Sequence, residues 1–239
     1  MSLVVTDLVK IYGNRRVVDN LSLHVEPGEI VGILGPNGAG KTTAFYMMIG
    51  LIRPNEGQIE FAGETITHSP MYQRARLGLG YLPQEPSVFR ELTVEQNLLS
   101  ILELVESNQK QIKEQKEELL EELGLTPFIA CKAGTLSGGE RRRLEIARAL
   151  ATRPTCLMLD EPFANIDPLA TADLKKMIQL LKNKGISLLI TDHNARELVS
   201  IVDRGYLIAD GRVLRSGTAS ELLADAQARA RYFGEGFTV

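Results

Sequence analysis

The stretch Gly35-Pro36-Asn37-Gly38-Ala39-Gly40-Lys41-Thr42-Thr43 has the residue types and spacing of a phosphate-holding loop, with glycines first and a lysine and hydroxyls last. Glycine lets successive backbone N–H groups turn toward one point, and a helix starting there adds the positive end of its dipole. Lys41 then reaches the β- and γ-phosphates of a nucleoside triphosphate such as ATP, and the Thr42 hydroxyl is placed for Mg²⁺. A glycine-rich turn between any strand and helix shares part of this pattern. The apolar run Ile30 to Leu34 before the loop and the helical stretch after it supply the order that a phosphate site requires.

A second chemical group is the acid pair Asp160-Glu161, which ends the apolar run Cys156-Leu157-Met158-Leu159. Such a run reads as a central strand that delivers its carboxylates to the carboxyl edge of a parallel sheet, where ligands bind. Asp160 suits the water shell of Mg²⁺, and Glu161 suits polarising a water for in-line attack on the γ-phosphate. Adjacent acids also cap turns, but beside a phosphate loop the catalytic reading is the stronger. His193 follows another buried strand, Ile190-Thr191, and Gln84 leaves Gly80-Tyr81-Leu82, so both are expected at the same edge. The Gln84 carbonyl oxygen suits Mg²⁺ or the attacking water.

A third group is Ser137-Gly138-Gly139-Glu140. Ser137 and Glu140 form a capping box, which is a complete local reason for a helix to start there. It leaves unexplained two glycines in the first turn, each costing roughly 1 kcal/mol of helix propensity against Ala. Bare backbone at a helix N-terminus is what the close approach of a phosphate needs.

These residues need elements to hold them. Short strands are expected at Leu3 to Val9, Leu21 to Val25 and Ile30 to Leu34, with Tyr12 in the loop after the first. Gln58 to Phe61 alternates as an edge strand, and Leu79 to Gln84 reads as a strand running into a loop. From residue 90 to 150 the pattern becomes helical: Thr93 and Gln96 fit a capping box, and Leu98, Ile101, Leu102 and Val105 share a face. The rest alternates strand and helix, then forms a hairpin turned at Asp210-Gly211 and ends in a tail from Ala226. The expected fold is α/β, a phosphate-loop core with an N-terminal antiparallel β subdomain and an inserted all-helical subdomain. In this reading residues 1–89 and 151–239 form the core and about 90–150 the insertion.

The 239 residues suffice for one large domain, and 27 basic against 30 acidic residues argue against a general nucleic-acid binder. Cys131 and Cys156 have no ligand spacing, and Cys156 reads as a core residue. No apolar run approaches the roughly 18 residues of a membrane helix.

Taken together, Gly35 to Thr43, Gln84, Leu136 to Glu140, Leu159-Asp160-Glu161-Pro162, Asn165-Ile166-Asp167 and His193 resemble, in order and spacing, the nucleotide-binding subunits of ABC transporters. The resemblance covers nearly the whole chain. It implies a head-to-tail homodimer with two ATP, each held between the loop of one subunit and Ser137-Gly138-Gly139 of the other. Tyr12 would stack on adenine, Asp167 would signal across the interface and His193 would hold the γ-phosphate. It further implies integral membrane partners and a place on the cytoplasmic face of the inner membrane. Gly80 to Glu85, Ser87 to Arg90, Gly138 to Leu150, Thr191 to Glu197 and Tyr232-Phe233-Gly234-Glu235 resemble the lipopolysaccharide-export branch of that family. ATPases of branched-chain amino-acid importers share much of this, and the soluble ATPases of iron–sulfur cluster assembly are a reading from another class. Between Gln84 and Thr93, Phe89 offers an apolar anchor and Arg90 a fork of donors that suit a docking surface for membrane partners, the alternative being that Phe89 plugs the helical subdomain's own core.

Overall fold

The computed structural model describes residues 2–164, 166–234 and 237, so Asn165 and Glu235, named above within family-like motifs, lie outside the described residues. The chain begins as a hairpin of β1 (Leu3–Tyr12) and β2 (Arg15–Val25), turned at Gly13, whose φ of 58° is the left-handed conformation such a turn needs. Tyr12 is therefore the last residue of a strand, paired with Arg15, and not a loop residue. The hairpin turn also starts the second strand at Arg15, six positions ahead of the expected start at Leu21.

Next come β3 (Ile30–Leu34), the phosphate loop and α1 (Lys41–Ile49). After these follow β4 (Glu56–Phe61), the two-residue β5 (Glu64–Thr65), α2 (Met71–Arg76) and β6 (Leu79–Leu82). One sheet has the order β2-β1-β4-β5. The strand expected at an edge, β4, thus lies inside, because Ala62 and Gly63 at φ 56° and 83° fold the chain back to add β5.

The helices α3 (Val94–Val105), α4 (Gln109–Glu122) and α5 (Gly138–Leu150) follow. Both bonds of the capping box are present at Thr93 and at Ser137. Leu98 and Leu102 of α3 are buried, whereas Val105 is 53% exposed, since the helix ends there and its last turn overhangs the core.

Then come β7 (Cys156–Asp160), α6 (Pro168–Asn183), β8 (Ser187–Thr191), α7 (Ala195–Val199), β9 (Arg204–Ala209), β10 (Arg212–Thr218) and α8 (Ala219–Ala224). A helical turn, Ala226–Ala228, runs into a π-helical turn, Arg229–Phe233. The second sheet has the order β10-β9-β3-β8-β7-β6, with β3, β6, β7, β8 and β9 parallel and β10 antiparallel.

Side chains alternate across this sheet and so build two apolar layers. Ile30, Leu34, Leu157, Leu159, Leu188 and Ile190 pack toward α3 to α6, whereas Val31, Ile33, Cys156, Met158 and Leu189 pack toward α1 and the first sheet. Continuous apolar runs are the result, as expected of strands buried on both faces. Cys156 sits in the second layer, where burial pushes its thiol up to about 12 and leaves it inert.

The far end of α1 is held by Arg74, which is 2% exposed and donates to the carbonyl oxygens of Met47, Met48, Thr67 and Ser69. Two of these are among the last carbonyls of α1, where a cation also complements the helix dipole. Its burial lowers the guanidinium pKa to about 10.

Candidate active site

Sheet register brings the chemistry-bearing residues together. Leu82 of β6 faces Leu159 of β7, so Gln84 and Glu161, each two residues further, leave the same edge side by side. Asp160 faces Thr191, which sets Asp192 and His193 beside Glu161. Thr191 also faces Ile33 of β3, and the phosphate loop begins just beyond it. A ligand on that loop therefore meets all four strand ends.

The loop owes its shape to two glycines that no other residue could replace without displacement. A Cβ on Gly35 would lie 2.2 Å from the Ile208 carbonyl oxygen, and one on Gly40, at φ 98°, would lie 2.5 Å from that of Val17. Gly40 is the N-cap of α1 and offers no capping side chain, so the first N–H groups of the helix stay available to an anion. Lys41, 7% exposed, donates to the carbonyl oxygens of Gly35 at 2.6 Å and Pro36 at 3.0 Å. Burial lowers its pKa, with Glu161 and Asp192 acting in the opposite direction. Its ammonium thus lies folded on the loop backbone, a position from which a phosphate can draw it by offering a full negative charge.

The acid pair divides into a buried and an open member. Asp160 is 2% exposed, and burial, followed by the charge of Glu161, raises its carboxyl to about 6. The Tyr81 hydroxyl approaches it at 3.5 Å, and burial together with Asp160 raises the pKa of Tyr81 and of Tyr46. Glu161 has φ 44°, a left-handed conformation that costs a non-glycine residue on the order of 1–2 kcal/mol. Its N–H is anchored on the Thr191 carbonyl oxygen at 2.7 Å. One carboxylate oxygen accepts from Gln84 Nε2 at 2.8 Å and lies 3.2 Å from His193 Nδ1. Strain of this kind at the end of a strand is typical of a functional position.

The buried Asp160 carboxylate, the exposed Thr42 hydroxyl and the Gln84 amide oxygen are all hard oxygen donors, and among the described residues no lysine or arginine is hydrogen-bonded to Asp160. That set fits Mg²⁺, a hard cation held by few protein oxygens, one or two of them carboxylates, with water and substrate phosphate in the rest of its shell. Among the described residues no three His, Cys, Asp or Glu side chains cluster into a cage that would hold a cation alone.

Two contributors had no role assigned from the sequence. Asp192 is fully buried and accepts from the backbone N–H groups of Phe163 and Asn194, both at 2.8 Å, so it ties the segment after Glu161 to the segment carrying His193. Burial raises its pKa, and those two hydrogen bonds work against the rise. Its signal in the sequence was only its place after a buried strand. The pair Arg142 and Glu145 on α5 grips the segment after Gln84: Arg142 donates to the Pro83 carbonyl oxygen at 3.1 Å and to Glu145 at 2.8 Å, and Glu145 accepts from the Ser87 N–H at 3.2 Å. Their i, i+3 spacing marks a same-face pair, but not its partner loop.

Most other expected residues stand apart from this edge, whereas Gly138 lines a cavity together with Gln84 and Glu161. Ser137 and Glu140 cap α5 reciprocally, and Ser137 and Gly139 line a cleft between α5 and α6 together with Asp167. Asp167 caps α6 by accepting from Leu169 and Ala170 at 3.0 Å each. A Cβ on Gly138 would meet nothing within 4 Å, so this helix start presents bare backbone outward. Tyr12 is 48% exposed at the tip of β1, with the Lys10 ammonium 5.2 Å from its ring centre. Val88 fills the core, leaving Phe89 half exposed under the Arg148 guanidinium and Arg90 exposed.

Comparison with known proteins agrees with this geometry. The ABC transporter family matches residues 18–164. A probable ABC transporter ATP-binding protein of Azorhizobium caulinodans is 51% identical over 99% of this chain and 84% of its own length. The lipopolysaccharide export system ATP-binding protein of Acidithiobacillus ferridurans is 50% identical over 97% of this chain and 96% of its own length. A crystal structure of the ADP conformation of an ATP-binding cassette of an ABC transporter superposes with a TM-score of 0.87 at 30% identity, covering 98% of this chain and all of that one. The phosphate loop, the acid pair at the sheet edge and these matches along nearly the whole chain place it in the ABC transporter family, as an ATP-binding cassette with ATPase activity.

Proposed function

We propose that the chain is the ATPase subunit of a lipopolysaccharide exporter, working as a head-to-tail homodimer on the cytoplasmic face of the inner membrane. The observation that carries the ATPase chemistry is the convergence of Gln84, Asp160, Glu161 and His193 on one sheet edge next to the loop of Lys41. The substrate assignment is supported by the 50% identity, over 96% of its length, to a lipopolysaccharide export ATP-binding protein.

Each residue then has a defined task. Backbone N–H groups from Gly38 to Thr43 bind the phosphates, and Lys41 leaves the Gly35 and Pro36 carbonyls to pair with the β- and γ-phosphates. Thr42, Asp160 and Gln84 would hold Mg²⁺, which would supply charge neutralisation to the phosphates. Glu161 polarises the attacking water, and Gln84 and His193, already bonded to its carboxylate, orient it and the γ-phosphate. Tyr12 provides a ring for adenine. Ser137, Gly138 and Gly139 with Glu140 close the site from the partner subunit, a reading supported by the outward-facing bare backbone at Gly138. Asp167 lies on the same cleft and reports occupancy across the interface. Phe89 and Arg90 dock integral membrane subunits; no helix among the described residues is long and apolar enough to cross a membrane.

Complementation tests the whole reading. In a bacterium depleted of its own lipopolysaccharide-export ATPase, this chain should restore growth and outer-membrane lipopolysaccharide, and its Glu161→Gln variant should not. Recovery of branched-chain amino-acid uptake in an importer-deficient strain, without lipopolysaccharide export, would reassign the substrate.

A further inference from the structure

The phosphate loop is pressed from outside by a turn that the mechanism above does not use. Asp210 and Gly211, at φ 50° and 79°, form the β9–β10 turn, and the Gly211 N–H donates to the Ala39 carbonyl oxygen at 3.0 Å. In a planar trans peptide the C=O of residue 39 and the N–H of residue 40 point in opposite directions. Holding the Ala39 carbonyl on the turn therefore aims the Gly40 N–H away from it, toward the inner side of the loop.

The turn is itself fixed to the first sheet. The Asp19 N–H of β2 donates to the Gly211 carbonyl oxygen at 2.9 Å. Asp19, with 12% of its side chain exposed, accepts through its carboxylate from Arg212 Nε and from Arg16 Nη1, both at 2.8 Å. These two guanidiniums hold its carboxyl below the usual range. The Val17 carbonyl oxygen fills the space beside both glycines: a Cβ on Gly211 would come within 2.7 Å of it and one on Gly40 within 2.5 Å. The loop peptide, the turn and β2 are thus in mutual contact, and neither glycine can carry a side chain without moving the other two.

We propose that the Asp210-Gly211 turn, locked by the Asp19–Arg212 pair, is a positioning element that aims the Gly40 amide at the phosphates of bound nucleotide. The inference rests on the reading of residues 35–43 as the ATP site. Arg212 keeps 67% of its side chain exposed, so its removal spares the fold, whereas Gly211→Ala acts on the turn directly.

The test measures binding of ATP and of adenosine, which lacks phosphates, to the purified chain and to Lys41→Ala, Gly211→Ala and Arg212→Ala. Misaiming, rather than removing, one N–H bond to a charged phosphate forfeits part of its roughly tenfold or greater value, a factor of about five in affinity. Gly211→Ala should weaken ATP by about fivefold or more and Arg212→Ala by a smaller factor, while adenosine binding stays constant and kcat at saturating ATP stays within about twofold. In ¹⁵N-glycine spectra the Gly40 amide resonance should move in both variants. Equal losses for ATP and adenosine, or no loss of ATP affinity in either variant while Lys41→Ala is impaired, overturns the positioning role alone. Unchanged ATP affinity in Lys41→Ala overturns the site reading and this inference with it.

Discussion

Substitution of Glu161 separates chemistry from stability, because the residue carries both a reactive carboxylate and a strained backbone. In Glu161→Gln the side chain keeps its length and an oxygen for the Gln84 amide 2.8 Å away, but cannot polarise water as a base. General-base catalysis is worth about 10²–10⁴ in rate, so kcat should fall by that factor, a rise of roughly 3–5 kcal/mol in the barrier. ATP affinity should be retained or improved, since a negative charge near the phosphates is removed. The ATP-bound dimer should then accumulate and be visible by light scattering. Glu161→Gly should lose the same activity yet gain stability: the left-handed φ of 44° costs on the order of 1–2 kcal/mol, and the added backbone entropy of glycine returns about 0.5–1 kcal/mol of that. The net gain of roughly 0.5–1 kcal/mol corresponds to about 1–4 °C in Tm for a chain of this size. Steady-state hydrolysis, equilibrium binding of a fluorescent ATP analogue and calorimetry in the absence of nucleotide measure the three effects. A Gln variant that hydrolyses ATP within threefold of the parent would remove Glu161 as the base, and a Gly variant with lowered Tm would show that the surroundings, not the residue, bear the strain.

Lys41→Ala should weaken ATP by about ten- to a hundredfold, the value of a charge-assisted hydrogen bond, and unchanged binding in a titration would reject the phosphate-loop assignment. Ser137→Arg should leave ATP binding by the single subunit intact while abolishing hydrolysis, and the parent's specific activity should rise with protein concentration; full activity from a sample shown to be monomeric by ultracentrifugation would rule out the shared site. Arg90→Glu should spare the ATPase of the isolated chain and reduce recovery of the assembled transporter from membranes, because reversing a charge at a partner surface penalises only the complex. Normal assembly and transport by that variant would exclude Arg90 from docking.

Local signals were legible in the sequence because they act over three or four residues. The capping boxes at Thr93 and Ser137 form as read, since an N-cap hydroxyl and a Glu or Gln three residues later need only each other. The Asp210-Gly211 hairpin follows from two residues that tolerate positive φ, and the unbroken apolar runs ending at Leu34, Asp160 and Thr191 could only be strands covered on both faces. The phosphate loop belongs to the same class: its chemistry is contained in nine consecutive residues.

Pairing across the sheets was decided by the tertiary structure. That β4 is interior depended on a two-residue strand too short to show a period, and the outward turn of Val105 depended on where the core beneath α3 ends. The bonds from Gln84 and His193 to Glu161 join positions 77 and 32 residues apart, and they exist because β6, β7 and β8 align Leu82 with Leu159 and Asp160 with Thr191. The contacts of Asp192 with Phe163, of Arg74 with Met47 and Met48, and of Gly211 with Ala39 carry no local signature, since each joins a distant backbone group that only the folded chain brings within reach. Residue types and short spacings thus set what chemistry was possible, and strand register, which spacing within one segment cannot encode, set which of those residues act on the same atoms.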